Sequence, residues 1–197
     1  MNKFADDLEL HSIVIGDETY HQLSSSLDEV IKWSTNWQLP IAMQKCNVLH
    51  IGKLNCNYDY FLFHSELSSL TNVKDLGVMF SSDLKSTQHC TEIIKKAQQR
   101  LAIIRRCFCS NDRDILLWAY KVYVRPILEY ASQVWSPYLL DDIDRIENVQ
   151  RLFTKRLHGL KNKTYLERLH ILSLYTVYTL ELCRLKADLC LTLFYMA

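Results

Sequence analysis

Glycine and proline are scarce in this chain, with 4 Gly and 3 Pro in 197 residues. The scarcity excludes collagen-like and linker-rich classes and leaves room for long uninterrupted elements. No stretch approaches the roughly 20 apolar residues of a membrane-spanning helix. The most apolar run, 189–197, is far too short. The N-terminus is polar and acidic, unlike a secretion signal, which is basic and then apolar. The 7 cysteines (Cys46, Cys56, Cys90, Cys107, Cys109, Cys183 and Cys190) form no Cys-x-x-Cys pair and none stands at zinc spacing with histidine. An odd count without a secretion signal points to reduced, buried thiols in an intracellular protein of nucleus or cytoplasm, with no membrane and no secretion. Cys107–Phe108–Cys109 is a weak metal candidate that lacks partner ligands. The 7 histidines show neither triad nor ligand spacing and receive no role.

What the chain has is apolar content, 49%, and a charge division. Residues 1–84 carry 5 Lys and Arg against 11 Asp and Glu, a net of −6. Residues 85–163 carry 15 against 8, a net of +7, and residues 164–197 are neutral with 3 of each. An acidic block followed by a basic one reads as two parts with different work, or as two solvated surfaces of opposite sign.

The periodicity predicts an α+β fold in two parts, 1–84 and 85–197, with the boundary in Ser81–Gln88. Asp6 and Asp7 stand near a hairpin turn, followed by a strand over Leu8–Ile15. Leu23, Leu27, Val30, Ile31, Ser34 and Trp37 then follow helical spacing, and that helix ends before Pro40. Cys46–Ile51, Tyr58–Phe63 and Val73–Phe80 read as three short strands, with Gly77 at a tight place. From Ser86 only helices fit. The first, Thr87–Phe108, has Ile93, Ala97, Leu101, Ile104 and Phe108 as its core face. The second, Asp112–Val124, is capped by Asn111 or Asp112. Ile127–Trp135 is a short helix or turn. Asp141–His158 has Asp141, Asp142 and Asp144 at its N-terminus, where the helix dipole favours negative charge, and Gly159 as its stop. Tyr165–Leu172 and Thr176–Met196 complete a bundle.

Two features carry chemistry. The adjacent carboxylates Asp6 and Asp7 are either a solvated turn or half of a metal site. On the first bundle helix, Lys95, Gln98, Gln99, Arg105 and Arg106 lie opposite the core face. Such a stripe tracks a phosphate backbone without reading bases, or is an ordinary solvated face. Arg151, Lys155, Arg156, Lys161 and Lys163 extend the positive potential. Trp33, Trp37, Trp118 and Trp135 could stack on bases, but all four are assigned to the core.

Several stretches resemble, in order and over essentially the whole chain, the reverse transcriptase of jockey-like non-LTR retrotransposons. They are FADD (4–7), IKWSTNWQLPIAMQKCNVLHIG (31–52), VKDLGVMFSSDL (73–84), HCTEIIKKAQQRLAIIRR (89–106), YKVYVRPILEYASQVWSPY (120–138) and IENVQRLFTKRLHGL (146–160). The stretch around Val124–Tyr130 and Trp135–Pro137 is the most specific. The resemblance implies a partial polymerase palm of hairpin, helix and small antiparallel sheet, followed by an all-α bundle of thumb and connection helices. It implies two-metal nucleotidyl transfer with Mg²⁺ held by Asp6 and Asp7, Lys45 at the leaving pyrophosphate, and Gly77 in the hairpin that grips the primer end. It implies RNA template and DNA primer as partners, held also by Lys95, Gln99, Arg105 and Arg106, with no small-molecule cofactor. The family's fingers and its further catalytic aspartate precede the FADD box, so the chain reads as a C-terminal fragment, inactive alone. The alternatives are a non-catalytic nucleic-acid-binding module and an inert element relic.

Overall fold

A computed structural model describes residues 2–4, 7–108, 112–173 and 179–196. Asp6, Cys109, Asn111 and Thr176 lie outside them. The chain divides into two units, Met1–Asp75 with Phe80–Leu84, and Leu76–Met79 with Lys85–Ala197. The class is α+β, with small strand pairs in the first unit and helices in the second.

In the first unit, β1 (Asn2–Phe4) pairs antiparallel with β2 (Asp7–Glu9), Phe4 opposite Asp7 and Asn2 opposite Glu9. The strand expected over Leu8–Ile15 ends at Glu9, the residue opposite Asn2 of β1. Beyond it Ile13 and Ile15 are each more than 80% exposed, at 81% and 82%, so their alternation meets no apolar surface.

Helix α1 (Asp17–Asn36) opens with the Thr19 hydroxyl accepting from the Ile15 and Gly16 amides. Its Tyr20, Leu23, Leu27 and Ile31 recur at helical spacing and pack on Tyr60, Leu62 and Leu67, the core of the unit. Trp33 falls off that stripe and Trp37 is the C-cap, so both are exposed rather than in the core. A 3-10 turn, Met43–Lys45, leads into β3 (Asn47–Leu49).

The next strands depart from the sequence reading. Tyr58–Phe63 shortens to β4 (Phe61–Leu62), a hairpin with β5 (Ser65–Glu66). An all-antiparallel sheet is also not what forms: β6 (Ser68–Leu70) runs parallel to β3, Val48 opposite Ser69. The chain between them, β4 and β5 included, makes the long crossover that a parallel pair requires. Val73–Phe80 is two strands, β7 (Asn72–Asp75) and β8 (Val78–Ser81). They join through Leu76 (φ 42) and Gly77 (φ 88), both left-handed, as a primed two-residue turn demands.

The helical unit follows the expected order. Helix α2 (Thr87–Cys107) buries Ile93, Ala97, Leu101 and Ile104, and Phe108 is half-buried at its C-cap. Helix α3 (Arg113–Tyr123) is capped by Asp112, whose carboxylate accepts from the Asp114 amide at 2.8 Å. Ile127–Trp135 is two short helices, α4 (Arg125–Glu129), opened by Pro126, and α5 (Ser132–Trp135), separated at Ala131 (φ 49). Helix α6 (Leu140–Lys155) is followed by Gly159 at φ 76. Helices α7 (Tyr165–Ser173) and α8 (Leu180–Met196) complete the unit.

The helical core includes Leu117, Leu157, Leu160, Leu169 and Leu172, with Tyr120 stacked on Phe153 at 4.3 Å. Trp118 is exposed, against expectation, because the buried stripe of α3 is Leu117, Ala119 and Tyr120. The cysteines depart too: Cys90 is buried, but Cys56, Cys107 and Cys190 are exposed, on a loop, a helix end and the outer face of α8. Among the described residues no helix is long and apolar enough to cross a membrane.

Candidate nucleic-acid interface

The basic stripe survives folding. Lys95, Gln98, Gln99, Arg105 and Arg106 are all exposed on α2, with Arg100 beside them. The buried set repeats every three or four residues, so the charged positions between them face away. Arg105 donates from Nε to the Leu101 carbonyl at 3.1 Å. Lys96 pairs with Glu92 at 3.7 Å. On α6, Arg151 is held by Asp144 at 2.9 Å and lies over the Tyr165 ring, while Lys155, Arg156, Lys161 and Lys163 are exposed.

Two buried polar clusters fix these helices, and the sequence did not mark either. At the start of α6, Asp142 is 1% exposed. It accepts from the Thr87 hydroxyl at 2.7 Å and from Arg145 at 3.0 Å, and Arg145 also reaches the Thr91 hydroxyl. Of the three aspartates placed there for the dipole, Asp142 therefore fastens α6 to the first turns of α2. Nearby, burial first and the Asp142 charge second push the Cys90 thiol up to about 11.

Deeper along α6, Glu147 accepts from the Tyr165 hydroxyl and from the Leu180 amide at 2.9 Å. Gln150 accepts from the Tyr120 hydroxyl at 3.1 Å and donates to Tyr165. Burial, then the hydrogen bond to Glu147, raises the Tyr165 phenol far above its ordinary range.

The tip of the β7–β8 hairpin, Leu76–Met79, belongs to this unit. The Tyr130 hydroxyl donates to the Leu76 carbonyl at 3.0 Å. A Cβ on Gly77 would stand 3.4 Å from the Tyr130 ring. The Met79 amide donates to Nδ1 of buried His89 at 3.2 Å. Trp135 sits beneath both, its indole donating to the Tyr130 carbonyl at 2.7 Å and its ring 4.8 Å from that of His89. The spacing of the histidines from one another in the sequence assigns them no role. The available clue was spacing, since His89 stands four residues before Ile93 on the core face of α2.

Of the other expected site residues, Asp7 is exposed on β2 and Lys45 is exposed at the end of the 3-10 turn; both belong to the first unit. Gly77, Lys95, Gln99, Arg105 and Arg106 share the helical unit. Among the described residues no three His, Cys, Asp or Glu side chains are grouped to hold a metal ion.

No family model matches the chain. No solved structure matches it either. It is similar to an uncharacterized protein of Caenorhabditis elegans, 25% identical over 100 residues that cover 49% of this chain and 50% of the relative. The matched region thus spans about half the length of that relative.

Proposed function

We propose that the chain is part of a jockey-like non-LTR retrotransposon reverse transcriptase, a palm remnant followed by thumb and connection helices, and that alone it holds nucleic-acid duplex without extending it. The observation that carries this reading is order. Asp7 at the start of β2, helix α1, Lys45 before β3, Gly77 at the β7–β8 tip and the basic helix α2 follow one another as the resembling motifs do.

The chemistry of the family needs two Mg²⁺ ions on converging carboxylates. The described residues offer Asp7 and no grouped set, so no step of nucleotide transfer is assigned to these residues. Lys45 would stand beside a departing pyrophosphate. Duplex binding rests instead on the exposed cations of α2, which suit phosphates spaced along a strand.

Fluorescence anisotropy with a short RNA–DNA duplex at several salt concentrations tests the reading, with primer extension in Mg²⁺ or Mn²⁺ beside it. The expected result is weak, sequence-independent binding that falls steeply with salt, and no extension. Absence of binding at low salt overturns the duplex assignment. Extension that disappears on Asp6→Ala overturns the inactivity.

A further inference from the structure

We propose that the groove between α1 and the β4–β5 hairpin is a binding site for a methylated ammonium, the side chain of a methyl-lysine carried on a peptide. The site lies wholly in the first unit and is independent of duplex binding by the helical one.

The groove holds about 510 Å³, within the range of ligand clefts, and Asp28, Ile31, Phe61, Phe63 and His64 line it. Helix α1 supplies the first two and the hairpin the other three. Both rings are open, with Phe61 51% exposed and Phe63 42%. Phe63 and His64 form the two-residue turn of the hairpin, at φ 49 and φ 63. Such a turn favours Asn-Gly, and a bulky side chain in the left-handed region is costly. Phe63 stands there without burying its ring in the Tyr60, Leu62 and Leu67 core. The ring lines the groove instead.

The groove is negative. Among the described residues the Asp28 carboxylate has no hydrogen bond and no ion pair, although Lys32 stands one turn further along α1. Glu66 is paired opposite Phe61, on the same face of the hairpin, and adds a second carboxylate beside the groove. The charge over residues 1–84 is −6. A cation is therefore the complementary ligand.

The lining also selects among cations. Phenylalanine faces attract positive charge, but a ring satisfies no N–H donor as a carboxylate does. A guanidinium or a plain ammonium brings several such donors. Asp28 and His64 are the polar side chains in the lining. A trimethylammonium brings no donor, so it leaves none unmet beside the two rings. The volume exceeds that headgroup alone and leaves room for the stem and backbone that carry it.

The test uses the full chain and fluorescently labelled peptides that differ at one residue: trimethyl-lysine, lysine, arginine or a neutral tert-butyl isostere. In anisotropy titrations the trimethyl-lysine peptide is expected to bind about tenfold tighter than the lysine peptide and the isostere. Phe61→Leu, Phe63→Leu and Asp28→Asn are each expected to weaken it about fivefold. All three positions are exposed, so the core stays intact, and circular dichroism checks that it does. Choline chloride is expected to displace the peptide only at far higher concentration.

Equal affinity for the trimethyl-lysine peptide and its neutral isostere overturns the proposal. So does tighter binding of the lysine or arginine peptide, or affinity unaltered in all three variants. Choline binding as tightly as the peptide overturns the peptide source. Duplex titrations of the same variants are expected to match the parent, so a failure here and a failure of the functional reading are read separately.

Discussion

The hydroxyl of Thr87, the first residue of α2, donates to Oδ2 of Asp142 on α6 at 2.7 Å, across 55 residues of sequence. The other carboxylate oxygen takes Arg145, so one buried anion satisfies a hydroxyl and a guanidinium together. Removing the carboxylate leaves the Thr87 hydroxyl unmet and takes from Arg145 its ionic partner, leaving it the Thr91 hydroxyl. Asp142→Ala should therefore lower the unfolding free energy of the helical unit by about 3 kcal/mol, and Thr87→Val, which removes one neutral donor, by about 1 kcal/mol. Urea titration followed by circular dichroism measures both. A loss for Asp142→Ala no larger than that for Thr87→Val would show that the carboxylate is not the organising group.

The first unit should open before the helical one. Its described core gathers around Tyr60, Leu62 and Leu67, and α1 buries only Ser34 fully. Its strands are short two-stranded pairs, each marginal alone. In hydrogen exchange, amides of β3, β6 and α1 should exchange ahead of those of α3 and α6. Equal protection in both units would mean that the strand pairs support one another more than their packing indicates.

The helices were legible because their burial is periodic. Ile93, Ala97, Leu101 and Ile104 name the buried face of α2 without reference to any other element, and the opposite stripe follows. Strands 2 to 4 residues long carry no such internal record. Leu8–Ile15 alternates well, but whether an alternating segment becomes a strand depends on a partner edge elsewhere in the chain. Buried polar contacts were the least legible. Asp142 reads as a dipole-favoured surface carboxylate, and only its long-range partner Thr87 makes it internal. His89 and Tyr130 meet the hairpin tip for the same reason, through contacts that no local spacing encodes.

Alkaline pH should weaken the helical unit from about 9 upward. In the folded chain burial holds the Cys90 thiol protonated to about 11, whereas an unfolded chain ionises it near 9.0. Above that value the unfolded state sheds a proton that the folded state keeps, so the equilibrium moves toward unfolding across this window. Tyr120 and Tyr165, both raised by burial, add to the loss above 10.0. Thermal melts between pH 8 and pH 11 should show Tm falling, with the pH 9 to pH 10 part flattened in Cys90→Ala. An identical slope in that variant would remove Cys90 as the cause.

The last prediction separates the cations of α2 by their neighbours. Duplex affinity should fall linearly with the logarithm of salt concentration, at a slope of about 0.9 per phosphate neutralised. Lys95 and Arg106 are exposed, and each should contribute close to one such contact. Arg105 donates from Nε to the Leu101 carbonyl and is exposed, so it should contribute about as much. Lys96 is shared with Glu92 one turn away and should contribute less. Replacing Lys95, Arg105 or Arg106 singly by Gln should reduce the slope by about one and weaken binding alike for every sequence, whereas Lys96→Gln should reduce it by clearly less. Anisotropy titrations of the four variants against one duplex, at several salt concentrations, give the slopes directly. Equal slopes for all four would mean that charge density alone draws the duplex. A slope unaltered in the triple variant Lys95→Ala, Arg105→Ala, Arg106→Ala would move the contact surface off α2 altogether.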